Sequence, residues 1–377
     1  MIDFNLFMYC TVGRRFELER SMAGKDPRLY RRMLDEIAGY VQAADALGYA
    51  GFGHPEHHLQ IEGFEASNDP TLMGMWIGMH SKRLKVITCG FVSTAHNPLR
   101  TAEAIATMDN MLDGRFSVGL VRGYQYRWVE NFKIQEQLAA VGPWNKDSQE
   151  DMTNREYFAE YVDIVVKALT TDTFSYNGKF WQFPAAGMVN PHDHPVYHQY
   201  GKGVSADMKI SEIGIAPRPM QQPHPRLYAG FSASVRTAKF WAKYRGKPIV
   251  LAPNMDLCKV IWDGYREEAE GVHGHTVKPG DEAAWGGLMI CAETDAKAQA
   301  WAEDMEWFWK LWPTAFGQGG VERLIGSPDT LTRRIEEASA SVPINEMFLL
   351  IPQGISEPAK VNASLELFAD KVMPRFQ

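Results

Sequence analysis

The sequence predicts an α/β protein in which strands and helices alternate, either a (β/α)₈ barrel or a doubly wound parallel sheet, and three observations carry that expectation. Short β-type runs alternate with stretches of helical spacing, the mark of βαβ units. Four such alternations precede Gly123, and four further strand candidates follow. A chain of 377 residues with 45% hydrophobic and 23% charged residues has the makings of a large core, and α/β barrels of this length are common.

The elements run in order. Ile2–Cys10 reads as a first strand, and Arg28–Leu47 as a helix stopped by Gly48. Tyr49–Gly53, Leu84–Ser93 and Arg115–Val121 read as strands, with helices over Asp69–His80 and Pro98–Leu112 between them. Regularity then breaks around Gly142-Pro143 before a strong helix, Asn154–Leu169. Tyr176-Asn177-Gly178-Lys179 predicts a hairpin turn, and the proline-rich stretch to Pro225 predicts an irregular excursion. Arg226–Phe231, Pro248–Leu251, Gly287–Cys291 and Glu346–Ile351 complete the strand set. The expected organisation is one domain over 1–377, with excursions at about 126–153, 171–225 and 313–321.

A net charge of −7 argues against nucleic acid as partner, because that role needs a basic surface; a small molecule is expected instead. The start MIDFNLFMYC has no signal-peptide pattern and no window is apolar enough to span a bilayer, so a cytoplasmic protein without membrane attachment is expected. Cys10, Cys89, Cys258 and Cys291 have no C-x-x-C spacing, which suggests thiols and no metal site. Trp301, Trp307, Phe308, Trp309 and Trp312 form an aromatic cluster, readable as helix-face packing, a subunit contact or a ligand pocket.

Three segments carry candidate chemistry. His54-Pro55-Glu56-His57-His58 directly follows a strand, where barrel enzymes place reactive groups; a polar loop or a zinc site would also fit the composition. Leu84–Tyr124 ends in Gly119-Leu120-Val121-Arg122-Gly123, and a guanidinium at a strand end suits a phosphate. Tyr228–Val235 runs from a strand into a helix expected at Arg236–Tyr244, so Ser232, Ala233, Ser234 and Val235 offer either an anion site or simple capping. A hydrolytic zinc site at His192, Asp193, His194 and His198 is a rival reading.

Glu56-His57-His58, Asn97-Pro98, Met108-Asp109, Gly114-Arg115-Phe116, Gly119–Gly123, Ser232-Ala233-Ser234 and Gly326-Ser327-Pro328 occur in the order seen in the bacterial luciferase family, and the chain resembles that family over nearly its whole length, its catalytic subunit in particular. The resemblance implies a (β/α)₈ TIM barrel with insertions and a flavin-dependent monooxygenase. Such an enzyme uses reduced FMN and dioxygen, through a flavin hydroperoxide, to oxygenate a small carbonyl or hydrophobic compound. It also implies His57 as the catalytic histidine with His58 as its neighbour, and Glu56 beside the flavin. Cys89-Gly90 would form a non-proline cis peptide at the ring, with Arg122 and Ser232–Val235 at the phosphate. A homodimer follows from the family habit of pairing early helices. No G-x-G-x-x-G follows a strand, so a separate NAD(P)H:flavin reductase is the expected source of reduced FMN. Two departures, Val121 in place of a reactive cysteine and a lid shortened to Pro313–Val321, count against light emission. The alternatives on the same barrel are a deazaflavin- or flavin-dependent dehydrogenase and a non-catalytic flavin-binding paralogue.

Overall fold

The computed structural model describes residues 1–317 and 319–377; Gln318, inside the expected 313–321 excursion, lies outside the described residues. The chain forms two compact units. The first comprises Met1–Phe91, Ser117–Leu120 and Arg226–Gln377, and the second Val92–Phe116 and Val121–Pro225.

The eight expected strands are all present: β1 Asp3–Phe7, β2 Gly51–His54, β3 Lys85–Val92, β4 Phe116–Val121, β5 Arg226–Ala229, β6 Lys247–Val250, β7 Ala284–Cys291 and β8 Glu346–Leu350. They pair in sequence order, and the sheet closes because β8 pairs in parallel with β1, with Asp3 opposite Glu346 and Phe7 opposite Leu350. Closure distinguishes the barrel from the doubly wound sheet. Strands buried on both faces read as continuous apolar runs, as β7 does over AWGGLMIC.

Helix starts are written in the sequence. Asp26-Pro27, Asp69-Pro70, Asn97-Pro98 and Ser327-Pro328 each place an N-cap side chain on a first-turn amide and a proline at the first helical position. Gly48 ends Pro27–Leu47 with φ +85°, the left-handed cap that glycine adopts without a Cβ penalty.

Glu346 and Lys247 open β8 and β6 and form a buried ion pair at 3.0 Å. Tyr228 Oη donates to the same carboxylate at 2.5 Å and Asn5 Nδ2 at 2.9 Å. Charge inside a barrel is tolerable in this way because both the carboxylate and the ammonium are hydrogen-bonded, Lys247 Nζ also donating to Asn345 Oδ1 at 2.6 Å. The network lies toward the strand starts, the end of such barrels associated with stability.

Some expectations shift. The first strand stops at Phe7 and does not reach Cys10, which has φ +56° and whose carbonyl accepts the amide of Ala66 at 2.8 Å. In the second unit the expected helix Asn154–Leu169 starts earlier, at Gln149, because Ser148 caps it through the amide of Asp151. The irregular stretch 126–153 contains the helix Tyr126–Phe132. A short strand, Arg323–Gly326, pairs with Leu288–Cys291 of β7 and was too brief to read from pattern. Tyr176–Asn177 and Gln182–Phe183 form the expected hairpin. Among the described residues no helix is long and apolar enough to cross a membrane, and no group of His, Cys, Asp and Glu is arranged to hold a metal.

Candidate active site

The loop after β2 leaves the C-terminal end of the barrel and folds back on itself. The amide of His57 donates to the carbonyl of Ser67 at 2.8 Å, and Ser67 Oγ donates to the carbonyl of Pro55 at 2.5 Å. His57 is buried, with Nδ1 3.3 Å from Oε2 of the buried Glu65. Burial pulls its imidazole below the ordinary range, against the upward pull of Glu65 and Glu56, so the neutral form prevails at neutral pH. His58 points elsewhere: its Nε2 lies 2.7 Å from Glu56 Oε1. His54 takes no part, being pinned between the carbonyl of Pro55 and Thr88 Oγ1, and burial lowers it to about 4.

At the adjacent strand ends, Cys89-Gly90 is a cis peptide, as the resemblance implied. A Cβ on Gly90 would strike the carbonyl of Gly119, and one on Gly119 would strike Cys89 Sγ, so β3 and β4 approach closely here only because neither glycine has a side chain. The Cys89 thiol is pushed up to about 12 by burial and remains protonated.

Beyond β5, Phe231 has φ +24° and the amide of Ser232 donates to the carbonyl of Ile249 at 2.8 Å, which ties the turn to β6. Ser234 is the N-cap of Val235–Ala242 yet its side chain makes no capping bond. Ser232 Oγ accepts the amide of Ser234 at 3.4 Å, so only the Ser234 side chain is without a local capping role, and the helix start presents exposed Ala233 and Ser234 with first-turn amides.

The aromatic cluster resolves into a wall. Tyr9 lies 6.3 Å from Phe231, 6.0 Å from Phe308 and 5.6 Å from Trp309. Phe64 stacks on Phe308 and Trp312, each at 5.6 Å. These rings join the extensions of β1, β2 and β5 to the helix Asp295–Leu311. Trp301, by contrast, sits under the Lys297 ammonium at 4.8 Å.

In the second unit, Arg122 follows β4 and its Nη1 donates to Asp151 Oδ1 at 2.5 Å. Arg155 Nη2 donates to the other oxygen at 2.9 Å. Burial would raise Asp151, but its bonds from Arg122, Arg155 and the backbone hold it below the usual carboxylate range. Two cations share one carboxylate.

Sequence reasoning missed Glu65, Asp151, Arg155, Tyr9, Phe64 and Phe231. His192, Asp193, His194 and His198 lie in the second unit; the rings of His192 and His194 are 6.3 Å apart.

The family model of luciferase-like monooxygenases matches residues 19–357, and the chain belongs to that family. The alkanal monooxygenase beta chain of Photorhabdus luminescens is 29% identical over 191 residues, 51% of this chain and 50% of that one, so this match spans half of the relative's length. The 3,6-diketocamphane 1,6-monooxygenase of Pseudomonas putida is 22% identical over 363 residues, 88% of this chain and 90% of that one. Among solved structures, the oxygenating constituent of 3,6-diketocamphane monooxygenase from Pseudomonas putida, a type II Baeyer-Villiger monooxygenase in complex with FMN, superposes with a TM-score of 0.75 at 18% identity, covering 100% of this chain and 99% of that one. Monooxygenase RslO1 from Streptomyces bottropensis gives 0.76 at 18% identity, with both chains covered in full at 100%. At that identity the superpositions speak to the fold alone.

Proposed function

We propose that this protein is an FMN-dependent monooxygenase that takes reduced FMN and dioxygen and oxygenates a small carbonyl or hydrophobic compound. One observation carries the reading: the only two histidines of the Glu56-His57-His58 motif are separated by their environments, and the buried one, His57, is held neutral at the C-terminal end of β2. A neutral imidazole accepts a proton at neutral pH, which an oxygen transfer needs.

The residues fit the cofactor. Two groups suit a dianionic phosphate, each within its own unit: the helix start at Ser232–Val235 presents amide donors, and Arg122 with Arg155 supplies cations. Gly90 and Gly119 let β3 and β4 approach closely at the place where the resemblance puts the flavin ring. Reduced FMN, when bound, supplies the electrons that activate dioxygen. The rings of Tyr9, Phe64, Phe231 and Phe308 keep water away and give the organic substrate an apolar wall.

Two partners complete the reading. A separate reductase supplies the reduced flavin, in the cytoplasm. A second copy of the chain covers the helix Pro70–Met79, where Leu72 is 70% and Met79 73% exposed.

The test is isotopic. Protein loaded with reduced FMN is mixed with heavy-isotope dioxygen and a panel of cyclic ketones, aldehydes and alkanes. One labelled oxygen atom in a product supports the reading. FMN binding without labelled product from any class would favour the flavin-binding paralogue.

A further inference from the structure

We propose that Glu65 is the positioning residue of His57, holding the imidazole proton on Nδ1 so that Nε2 is the atom that accepts a proton during turnover. The inference rests on the reading of His57 as the acid–base group and adds the residue that orients it.

The two groups face each other at ion-pair distance, not in a hydrogen bond. Glu65 is 1% exposed, and its Oε2 lies 3.3 Å from His57 Nδ1. Its backbone has φ +52°, a conformation that a residue with a Cβ rarely adopts unless its surroundings impose it. They do so through a set of backbone bonds: Val12 N donates to the Gly63 carbonyl at 3.0 Å, Gly63 N to Gln60 at 3.0 Å, and Ala66 N to Cys10 at 2.8 Å. The His57 amide is bonded to Ser67 in the same turn. The strand-like extension past β1 and the two arms of the β2 loop therefore fix carboxylate and imidazole against each other.

The other titratable groups around this pair leave the assignment to Glu65. On the same loop, Glu56 is engaged with His58 at 2.7 Å. His54 is held by Pro55 and Thr88, and burial keeps it neutral. On the β1 extension, the Cys10 thiol is pushed up to about 12, burial being the main cause and Glu65 a contributor, so it carries no charge. A carboxylate facing Nδ1 favours the tautomer with hydrogen on that nitrogen, because the alternative sets a lone pair against negative charge. When Nε2 takes a proton from the reacting group, the resulting imidazolium has Nδ1–H toward Glu65, which offsets part of the cost of a buried cation. Returning the proton from Nε2 to product or solvent restores the neutral ring.

The experiment uses the full chain loaded with FMN and ¹⁵N-labelled at histidine. The wild type is expected to show His57 as the Nδ1–H tautomer, with the signal assigned by its loss in His57→Gln. Glu65→Gln, which preserves shape and removes charge, should lower the His57 pKa by about one to three units. It should also move the acid limb of the kcat profile to lower pH and reduce kcat at least about tenfold. FMN affinity and KM should stay within about twofold, and Glu65→Asp should restore part of kcat. An Nε2–H tautomer in the wild type, or an unchanged titration and pH profile in Glu65→Gln, would overturn the proposal. If Glu65→Gln does not fold, the wild-type tautomer decides. A fully active His57→Ala would defeat the acid–base reading while leaving the tautomer result standing; an inactive His57→Ala beside an unperturbed Glu65→Gln defeats only the role of Glu65.

Discussion

Replacing Arg122 by alanine should weaken FMN binding far more than riboflavin binding, and the structure sets the scale. Arg122 and Arg155 share the Asp151 carboxylate. Arg122→Ala removes one cation, while Asp151 keeps its bonds from Arg155 and from the amide of Asp147. The carboxylate is not stranded, so the unit should fold. A hydrogen bond to a charged group is worth about 1.5–3 kcal/mol, which corresponds to a loss of about 10- to 150-fold in affinity for the phosphate-bearing ligand. Riboflavin has no phosphate and should bind within about twofold of wild type. Anaerobic titration of reduced FMN and reduced riboflavin against both proteins reads the difference. Equal losses for the two ligands would mean that Arg122 acts through the fold or the ring; no loss for either would remove it from the site.

His57→Ala should keep the melting temperature and most FMN affinity but lower product formation about 10²- to 10⁴-fold, whereas His58→Ala should show mainly lost stability. Gly90→Ala forces a methyl group onto the Gly119 carbonyl and should cost about 1–3 kcal/mol in chemical denaturation, with FMN affinity reduced as β3 and β4 separate. Removing one partner of the buried pair with Lys247→Met should cost about 3–5 kcal/mol, because Glu346 is left charged in the barrel; the double variant Lys247→Met with Glu346→Leu should recover much of it. His54 is lowered to about 4 by burial, so the unfolded chain binds the extra proton first as pH falls. Its contribution to stability is whole above about pH 6.5 and is lost between there and about pH 4, by at most about 3 kcal/mol, which denaturation across that range would detect.

The parts of this protein that were legible from sequence are those in which local chemistry decides. Caps such as Asp26-Pro27 and Asn97-Pro98 mark helix starts, and the order of apolar runs marks the eight strands. The candidate residues His57, His58, Cys89, Gly90 and Arg122 could be singled out because they sit in short motifs of the chain. What escaped depends on distance or on register. Asp151 and Arg155 are four residues apart and share one helix face, but a helix expected to begin at Asn154 leaves Asp151 in a loop. Glu65 reaches His57 through a left-handed backbone that no propensity for glutamate suggests. The aromatic cluster could be seen but not assigned, because helical spacing does not show that Phe308 and Trp309 meet Tyr9 from the far end of the chain. The short strand Arg323–Gly326 exists through its pairing with β7.

Stopped-flow absorbance shows directly whether this barrel governs the reaction of reduced FMN with dioxygen, with the anaerobic complex of protein and reduced FMN mixed against oxygenated buffer. The expected result is a transient spectrum that belongs to neither reduced nor oxidised FMN, outlasts the oxidation of free flavin, and decays with altered lifetime in His57→Ala. Direct conversion to oxidised FMN at the rate of the free cofactor, in wild type and variant alike, would contradict it.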